Sequence, residues 1–429
     1  MATTALIAPE TRRMSVIGTA MSVIVIVIGS VLMFPLPFDH RGTGAPLAWT
    51  AMLGLALPPT FGDYCIVVAM ITLIVSLLVR LHGSTNAMFL SAVGLVLIQL
   101  WNASTHAAII ALSLWSGFFL AAHIGMNGAA TGSPGRAIRL TWSVMFAIQM
   151  IVAIAAYLVG YGQLITPGFG ARASGLYGSP NVVYPLAILS LFWFAAMTRS
   201  TEQRTLKLLF AGMVALSAMV LLLTFSRAGW LGLAVSLTII NVRRNVGRLA
   251  IACMLTAALL VVGVFALRSG GIAASTHADR SMLGRTMVWM SALRHVADRP
   301  LSGGGYNSFR EYNDIGFALH TRGLGVAPSE PKNLILNWLL DVGLIGTILY
   351  AFFFYSTFRV AIRVQAIKES CRHTYGIARC LTMSLTALLI AGLFDTPFCG
   401  LLDRTPVTFS LLVLSGLLFG SQEGHRQNS

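Results

Sequence analysis

The sequence predicts an all-α polytopic membrane protein of about twelve transmembrane helices, with a long polar loop on the outer side that contains amphipathic helices. Hydrophobic residues make up 56% of the 429-residue chain and charged residues 10%, whereas soluble domains carry about 25% charged residues. Long apolar runs alternate with short polar connectors over most of the chain. So few charged residues cannot coat a water-exposed surface, which excludes a soluble globular fold.

Apolar segments close to the ~20 residues needed to cross a bilayer define the predicted helices. They cover residues 14–34, 62–80, 85–101, 105–126, 140–160, 181–198, 206–224, 228–242, 249–267, 334–358, 377–394 and 406–420. Residues 44–58 are apolar but end at two prolines, which favours an interfacial segment. The predicted domains are N-terminal transmembrane helices over 1–267 (about nine spans), an outer loop over 268–332, and C-terminal transmembrane helices over 333–421 (about three spans).

The distribution of basic residues orients these helices. With the N-terminus in the cytoplasm, 17 of the 29 Lys and Arg residues lie on the cytoplasmic side and four in short outer segments, as the positive-inside rule requires. The remaining eight lie in the loop over 268–332, which is too long for the rule to constrain. We therefore expect both termini in the cytoplasm and this loop outside. The net charge of +15 then needs no nucleic-acid partner.

The outer loop is the feature around which the chain is organised. A polar loop of about 65 residues, without a segment long enough to cross a bilayer, separates two sets of membrane helices, and loops of this length are usually functional. Residues 281–298 carry apolar side chains at helical spacing, and Pro300 ends this amphipathic segment. The loop is predicted to be the lid and part of the active site of a membrane enzyme.

Three basic residues stand at the outer ends of predicted segments. Arg227 ends one apolar span and almost begins the next, Lys332 opens a later span, and Arg285 lies on the apolar stripe of the loop helix one turn before Trp289. A charge at membrane depth is a functional hypothesis by default, although contact with lipid headgroups is the common alternative for each. We expect the three charged groups to converge within about 10 Å, roughly one screening length.

Turn-rich outer segments supply further candidates. Glycine, serine, proline and asparagine in ARASGLYGSPNVVYPL, residues 171–186, are also ordinary turn chemistry. The glycine run in PLSGGGYNSF permits a cradle of backbone N–H groups for an anion, whereas a plain turn is the more frequent alternative. The candidate substrate-binding residues from these segments are Arg172, Asn181, Gly304, Gly305 and Tyr306.

Other chemistry-bearing residues are less specific. The outer histidines His277, His295 and His320 are each candidates for a general base, and nothing local distinguishes them. Asp341 lies inside a span and is expected to face the protein interior. The five cysteines contain no CxxC pair, and no carboxylate cluster indicates a metal site. We therefore expect no metal and no cofactor.

Four blocks in one order, SGLYGSPN, TFSRAGWLGL, GRTMVW followed by RPLSGGGYNSF, and KNLILNWLLDVGLIG, resemble the O-antigen ligase/polymerase family, which includes polymerases of bacterial exopolysaccharides. Together they cover roughly residues 171–346. The resemblance implies an integral inner-membrane glycosyltransferase of the all-helical GT-C type. Such enzymes take a glycan from undecaprenyl pyrophosphate on the periplasmic face without a nucleotide sugar.

The resemblance also implies roles for individual residues. Arginines that match Arg227 and Arg285 hold the pyrophosphate. The family usually has a histidine before Asn333, which activates the acceptor hydroxyl, and here that position is Lys332. Either Lys332 is the base, with its pKa lowered by neighbouring cations, or it stays charged as a third phosphate clamp and His320 or another group removes the proton. Asn333 and His320 join the predicted substrate-binding residues.

The predicted function is polymerisation of lipid-linked repeat units into exopolysaccharide at the bacterial inner membrane. Transfer of a finished glycan to a lipid A-core acceptor is the alternative with the same chemistry. A transporter or flippase of lipid-linked glycan and a non-catalytic relative are alternatives of other classes. The expected partners are the undecaprenyl-pyrophosphate-linked glycan, membrane lipids and other polysaccharide assembly proteins.

Overall fold

The structure is a computed structural model, which describes residues 23–24, 26, 85–102, 111, 114–115, 117–126, 134–160, 163–166, 170–173, 175, 180–242, 288–305, 308–310, 331–366, 372–397 and 405–428. Its longer helices are α1 (Thr85–Trp101), α2 (Gly117–Met126), α3 (Pro134–Leu158), α4 (Pro180–Ser200), α5 (Arg204–Leu223), α6 (Arg227–Val242), α7 (288–298), α8 (Leu334–Ala366), α9 (Arg372–Gly392) and α10 (Thr405–Asn428). Strands β1 (Gln163–Thr166) and β2 (Gly170–Ala173) pair antiparallel in one hairpin.

Five described helices are long and apolar enough to cross a membrane. They are Ile138–Leu158, Pro180–Ser200, Arg204–Leu223, Leu334–Ala366 and Arg372–Gly392. The predicted class, a helical polytopic membrane protein, is confirmed, whereas the count of twelve spans and the GT-C arrangement stay predictions. The predicted spans at 62–80 and 249–267, and all but three residues of 14–34, lie outside the described residues.

Two features differ from the sequence prediction. Strands were not predicted between α3 and α4, where β1 and β2 form a hairpin whose register pairs Leu164 with Arg172. The span predicted over 334–358 is not one regular helix, because Gly343 has φ 64° and ψ −168° and breaks the helical path. Periodicity and hydropathy detect neither feature, since both depend on hydrogen bonds between neighbouring backbone segments.

Burial distinguishes the helices that form the centre of the bundle from those that face outward. In the apolar window of α4, 78% of the residues are buried, against 17% in that of α5. Tyr184 and Trp193 of α4 are fully enclosed, and the Trp193 indole donates a hydrogen bond to Ser143 Oγ at 3.0 Å. α4 is therefore a central helix, and the apolar surface of α5 is suited to contact lipid.

α9 runs antiparallel to α4 and α6. Ser200 Oγ, at the end of α4, donates to the Arg372 carbonyl at the start of α9 (3.4 Å). Ser236 Oγ of α6 donates to the Met383 carbonyl at 2.9 Å, midway along α9. Because antiparallel neighbours exchange ends, the starts of α4 and α6 lie near the end of α9.

α8 also runs antiparallel to α9. An added Cβ at Gly392, the last residue of α9, would lie 2.9 Å from a methyl carbon of Leu334, the first residue of α8. The side chain of Asn333 reaches the Leu393 carbonyl at 3.0 Å. The start of α8 therefore joins those of α4 and α6 around the end of α9.

Close helix packing depends on glycine at Gly232. A Cβ there would contact the Ala387 carbonyl oxygen of α9 closer than any real side-chain carbon, and backbone cannot give way as a side-chain tip can. Small residues that let helix backbones approach are a recurrent basis of packing in membranes. α6, which begins with Arg227, is positioned against α9 in this way.

Replacing Gly232 by alanine is expected to destabilise the bundle by about 1–3 kcal/mol, the usual effect of overpacking. Gly212→Ala in α5 is the matched control, because an added Cβ there meets nothing within 4 Å. Thermal unfolding of the detergent-solubilised protein measures both. Equal unfolding temperatures for the two variants would contradict the close approach of α6 and α9.

Candidate active site

Three helix N-termini surround the C-terminal end of α9. Those of α4, α6 and α8 meet there, because each helix runs antiparallel to α9. Each N-terminus carries N–H groups that have no acceptor within their own helix and a partial positive charge, which favour an anion. We call this end of the bundle, with Arg172, Asn181, Arg227, Lys332–Asn333 and Asp395, the site end.

Arg227 is the first residue of α6, as the sequence predicted. Ser226 caps the helix: its Oγ accepts the Gly229 N–H at 3.2 Å, and its carbonyl accepts the Trp230 N–H at 3.0 Å. The preceding residue, Phe225, has φ 48°, which tightens the turn from α5 into α6. This turn exposes the Arg227 side chain at the site end.

Arg172 is held against the same turn by the hairpin. Its Nε donates to the Thr224 carbonyl at 2.8 Å, one of the carbonyls left open at the end of α5. Burial lowers the pKa of the half-buried guanidinium, nearby Asp395 raises it, and nearby Arg227 lowers it. The guanidinium stays charged at working pH, so two arginines and one carboxylate act on each other at this point.

Asp395 is a site residue that the sequence analysis missed. Its side chain is 4% exposed and lies just beyond the end of α9, where Oδ1 accepts the Thr396 N–H at 2.9 Å. Its charge reaches Arg172. The available signal was an acidic residue directly after the apolar span at 377–394, which marks a charge at the membrane edge.

Lys332 lies at the start of α8 between two fixed neighbours. The carbonyl of Pro331 accepts the Trp289 indole N–H at 2.9 Å. On the other side, Asn333 Oδ1 accepts the Leu336 N–H at 3.1 Å, and its Nδ2 donates to the Leu393 carbonyl. In the structure the Asn333 side chain caps α8 and links it to α9, and its predicted role in substrate binding stays a prediction.

Backbone strain coincides with the predicted cations. Among the described residues, the non-glycine residues with positive φ are Phe225 (48°) and Lys332 (53°). Such conformations cost about 1–3 kcal/mol and cluster at functional sites. Phe225 is two residues before Arg227, and Lys332 is itself the predicted clamp or base.

The predicted anion cradle at the glycine run is wrong for Gly304 and Gly305. Their N–H groups donate to the carbonyls of Leu340 (2.7 Å) and Asp341 (3.0 Å) in α8, so they are not available to a phosphate. The glycines serve the close approach of two backbones. Any other substrate contact of these two residues stays a prediction.

Several predicted residues stay untested. Arg285, Tyr306 and His320, with His277, lie outside the described residues. Asn181 is the half-buried second residue of α4, and so lies at the site end. His295 pairs with Asp298, Nδ1 to Oδ2 3.6 Å, about 9 Å along α7 from Trp289.

The arrangement is suited to bind an anion. Two arginines and a lysine lie at the starts of helices or beside them, and the partial charges of three N-termini add to theirs. Guanidinium groups bind phosphate oxygens in bidentate pairs. At the apolar edge of a membrane domain, such donors stabilise a developing negative charge more strongly than they do in water.

Part of the chain is similar to a known protein family. Residues 212–351, about a third of the chain, match the sequence model of the family described as O-Antigen ligase. The match runs from within α5 into α8 and includes Arg227, Lys332 and the loop over residues 268–332, but not Arg172, Asn181 or Asp395. No curated protein matches the chain. Residues 212–351 of this multi-pass membrane protein are thus similar to the O-antigen ligase family.

Proposed function

We propose that this protein joins undecaprenyl-pyrophosphate-linked oligosaccharide repeat units into exopolysaccharide on the periplasmic face of the bacterial inner membrane. The observation that carries the proposal is the convergence of three helix N-termini with Arg172 and Arg227 at the end of α9. Such a cluster fits the pyrophosphate of the donor, which carries negative charge on both of its phosphates.

The transfer exchanges one bond for another. The acceptor hydroxyl oxygen bonds to the anomeric carbon of the donor sugar, while the bond from that carbon to the phosphate oxygen breaks. Undecaprenyl pyrophosphate leaves with the electron pair, and the hydroxyl proton passes to a base. Arg227 and the helix N-termini stabilise the charge that develops on the leaving phosphate. In the proposal, these cationic groups stabilise the leaving pyrophosphate as a metal ion would.

Lys332 is assigned as a third cation for the pyrophosphate. Two nearby arginines indicate a dianionic target, which a charged ammonium helps to neutralise. Arg285 joins this set as a predicted clamp, and His320 is the predicted base. In the proposal Asp395 balances part of the cationic charge when no substrate is bound, since its charge already acts on Arg172.

A ligase is the second candidate, because the matching family is described by that activity. It would use the same donor, leaving group and cations, and would pass a finished glycan to a lipid A-core acceptor. The two candidates differ in the acceptor alone. The pyrophosphate site does not recognise the acceptor, so the convergence at the end of α9 supports both candidates alike.

A transporter is the candidate of another class, and broken helices near mid-membrane are typical of transporters. α8 is broken at Gly343. However, the carbonyls of Leu340 and Asp341, which a transported ion would need as ligands, accept hydrogen bonds from Gly304 and Gly305. The break is filled by the protein's own backbone, which favours an enzyme.

Deletion of the gene tests the proposal. We expect surface polysaccharide to be lost and single lipid-linked repeat units to accumulate, and the intact gene should reverse both effects. Accumulation of finished lipid-linked chains would identify the ligase instead. Normal polysaccharide with unchanged lipid-linked intermediates would contradict both transferases.

A further inference from the structure

The break in α8 is closed by a segment of the outer loop. At Gly343 the chain leaves the helical path, so the next N–H groups cannot reach the carbonyls one turn earlier. The Leu344 N–H donates to the Pro300 carbonyl (2.8 Å) and the Ile345 N–H to the Leu301 carbonyl (3.2 Å). The outer loop therefore supplies the acceptors that the helix lacks.

The same segment also supplies donors for the open carbonyls of the helix. Leu340 and Asp341 accept the N–H groups of Gly304 and Gly305, and Ser308 Oγ adds a hydrogen bond to the Leu340 carbonyl at 3.2 Å. Each of the two segments thus contributes two backbone carbonyls and two backbone N–H groups to four hydrogen bonds. We call this exchange, between residues 300–305 and 340–345, the splice.

The splice requires glycine on both sides. A Cβ added to Gly303 would lie 2.6 Å from the Gly343 nitrogen and 2.6 Å from the Leu340 oxygen. A Cβ added to Gly343 would contact the Leu301 carbonyl even more closely. Backbone atoms cannot rotate away, so a side chain at either position would force the loop off the helix.

Helix α7, just before the splice, is fixed to α8 along its length. Val288 and Ala292 of α7 form a buried cluster with Phe309 and Leu340, and Leu336 packs against this cluster. Trp289, near the start of α7, donates its indole N–H to Pro331, the residue before Lys332. α7 is therefore held at its end by the splice and contacts the Lys332 turn near its start.

We propose that Trp289 is a positioning residue for Lys332, and that the splice fixes α7 so that the Trp289 hydrogen bond holds the strained turn in place. The role in catalysis rests on the proposed function, whereas the positional role does not. Asn333 restrains the following residue from α9. The backbone turn that carries Lys332 is thus held by Trp289 of α7 on one side and by α9 on the other.

Chemical labelling of lysine tests the positional role without any enzyme assay. The chain contains three lysines, Lys207, Lys332 and Lys368. Lys207 lies at the start of α5, at the opposite end of the bundle, and is exposed. The rate at which an amine-reactive ester acylates Lys332, divided by the rate at Lys207 in the same sample, can be measured by mass spectrometry on the purified full-length protein.

The Trp289→Phe variant keeps an aromatic ring and removes the indole N–H that donates to the Pro331 carbonyl. We expect it to raise the labelling ratio severalfold, because the half-buried Lys332 turn is released. Trp193→Phe is the matched control: it also keeps an aromatic ring and removes an indole N–H, whose partner is Ser143 Oγ in α3, so the ratio should stay unchanged. An unchanged ratio in Trp289→Phe would overturn the proposal, as would an equal rise in both variants.

A second variant tests the splice and guards against misfolding of the first. Gly303→Ala leaves Trp289 intact, yet it should also raise the ratio, because α7 loses its far anchor. Gly212→Ala in α5, where an added Cβ meets nothing within 4 Å, is the control and is expected to behave as the native protein. A labelling ratio equal to that of the native protein in Gly303→Ala would overturn the claim that the splice fixes α7.

Activity then separates this inference from the proposed function. If both are right, Trp289→Phe raises the labelling ratio and also lowers the rate of transfer from an undecaprenyl-pyrophosphate-linked glycan about tenfold at saturating substrate. If the labelling ratio rises and the native protein catalyses no transfer, the positional role stands and the proposed function fails. If transfer is lost while the ratio is unchanged, Trp289 acts by another route and the inference fails.

Discussion

Replacing Arg227 by lysine is expected to reduce polymer formation about 100-fold or more, the scale on which one preorganised charge-stabilising donor acts. The positive charge is kept, so long-range attraction of the donor is kept as well. What is lost is the planar guanidinium, which binds two phosphate oxygens at once where an ammonium acts as a point charge. Polymer length and amount, measured in cells that lack the native gene, report the effect.

The structure provides a matched control for this variant. Arg204 is also the exposed first residue of a helix, α5, but lies at the opposite end of the bundle. Arg204→Lys should leave polymer formation unchanged, and both variants should reach the membrane at native levels. Comparable losses in the two variants would indicate a general effect on folding and remove Arg227 from the site. Arg285→Lys is expected to behave like Arg227→Lys.

The helices and the location of the main cations were accessible from the sequence for a physical reason. Apolar runs report helices directly, because every backbone polar group within a bilayer must be satisfied inside its own segment. Arg227 was visible because it interrupts such a run, and the structure confirms its place at the start of α6. Lys332 was visible because it precedes one.

Contacts between segments that are far apart in the sequence could not be predicted in the same way. Asp395 enters the site only because α9 runs antiparallel to three helices, and no local pattern carries that information. The glycine run suggested a phosphate cradle because the pattern reports close backbone approach but not the partner. Here the partner of Gly304 and Gly305 is the broken α8.

Lys332 carries the second large expected effect, and three replacements separate its two possible roles. If it is a charged clamp, Lys332→Arg should keep substantial activity, and the pH profile should not follow ionisation of this side chain. If it is the base, Lys332→Arg should be inactive, because arginine does not give up its proton at working pH. Lys332→His would then restore activity, since histidine is the family's usual residue here. We favour the clamp.

The backbone at Lys332 adds a test that side-chain chemistry alone does not offer. At φ 53° a glycine is unstrained, so Lys332→Gly is expected to stabilise the folded protein by about 1 kcal/mol while it removes the charge. A variant that unfolds at a higher temperature and transfers glycan at least tenfold more slowly would show that the native residue is kept for function at the expense of stability. Lys332→Ala should lose activity without that gain, because alanine is strained there as lysine is. Full activity of Lys332→Ala in reconstituted membranes would defeat both the clamp and the base and remove this residue from the site.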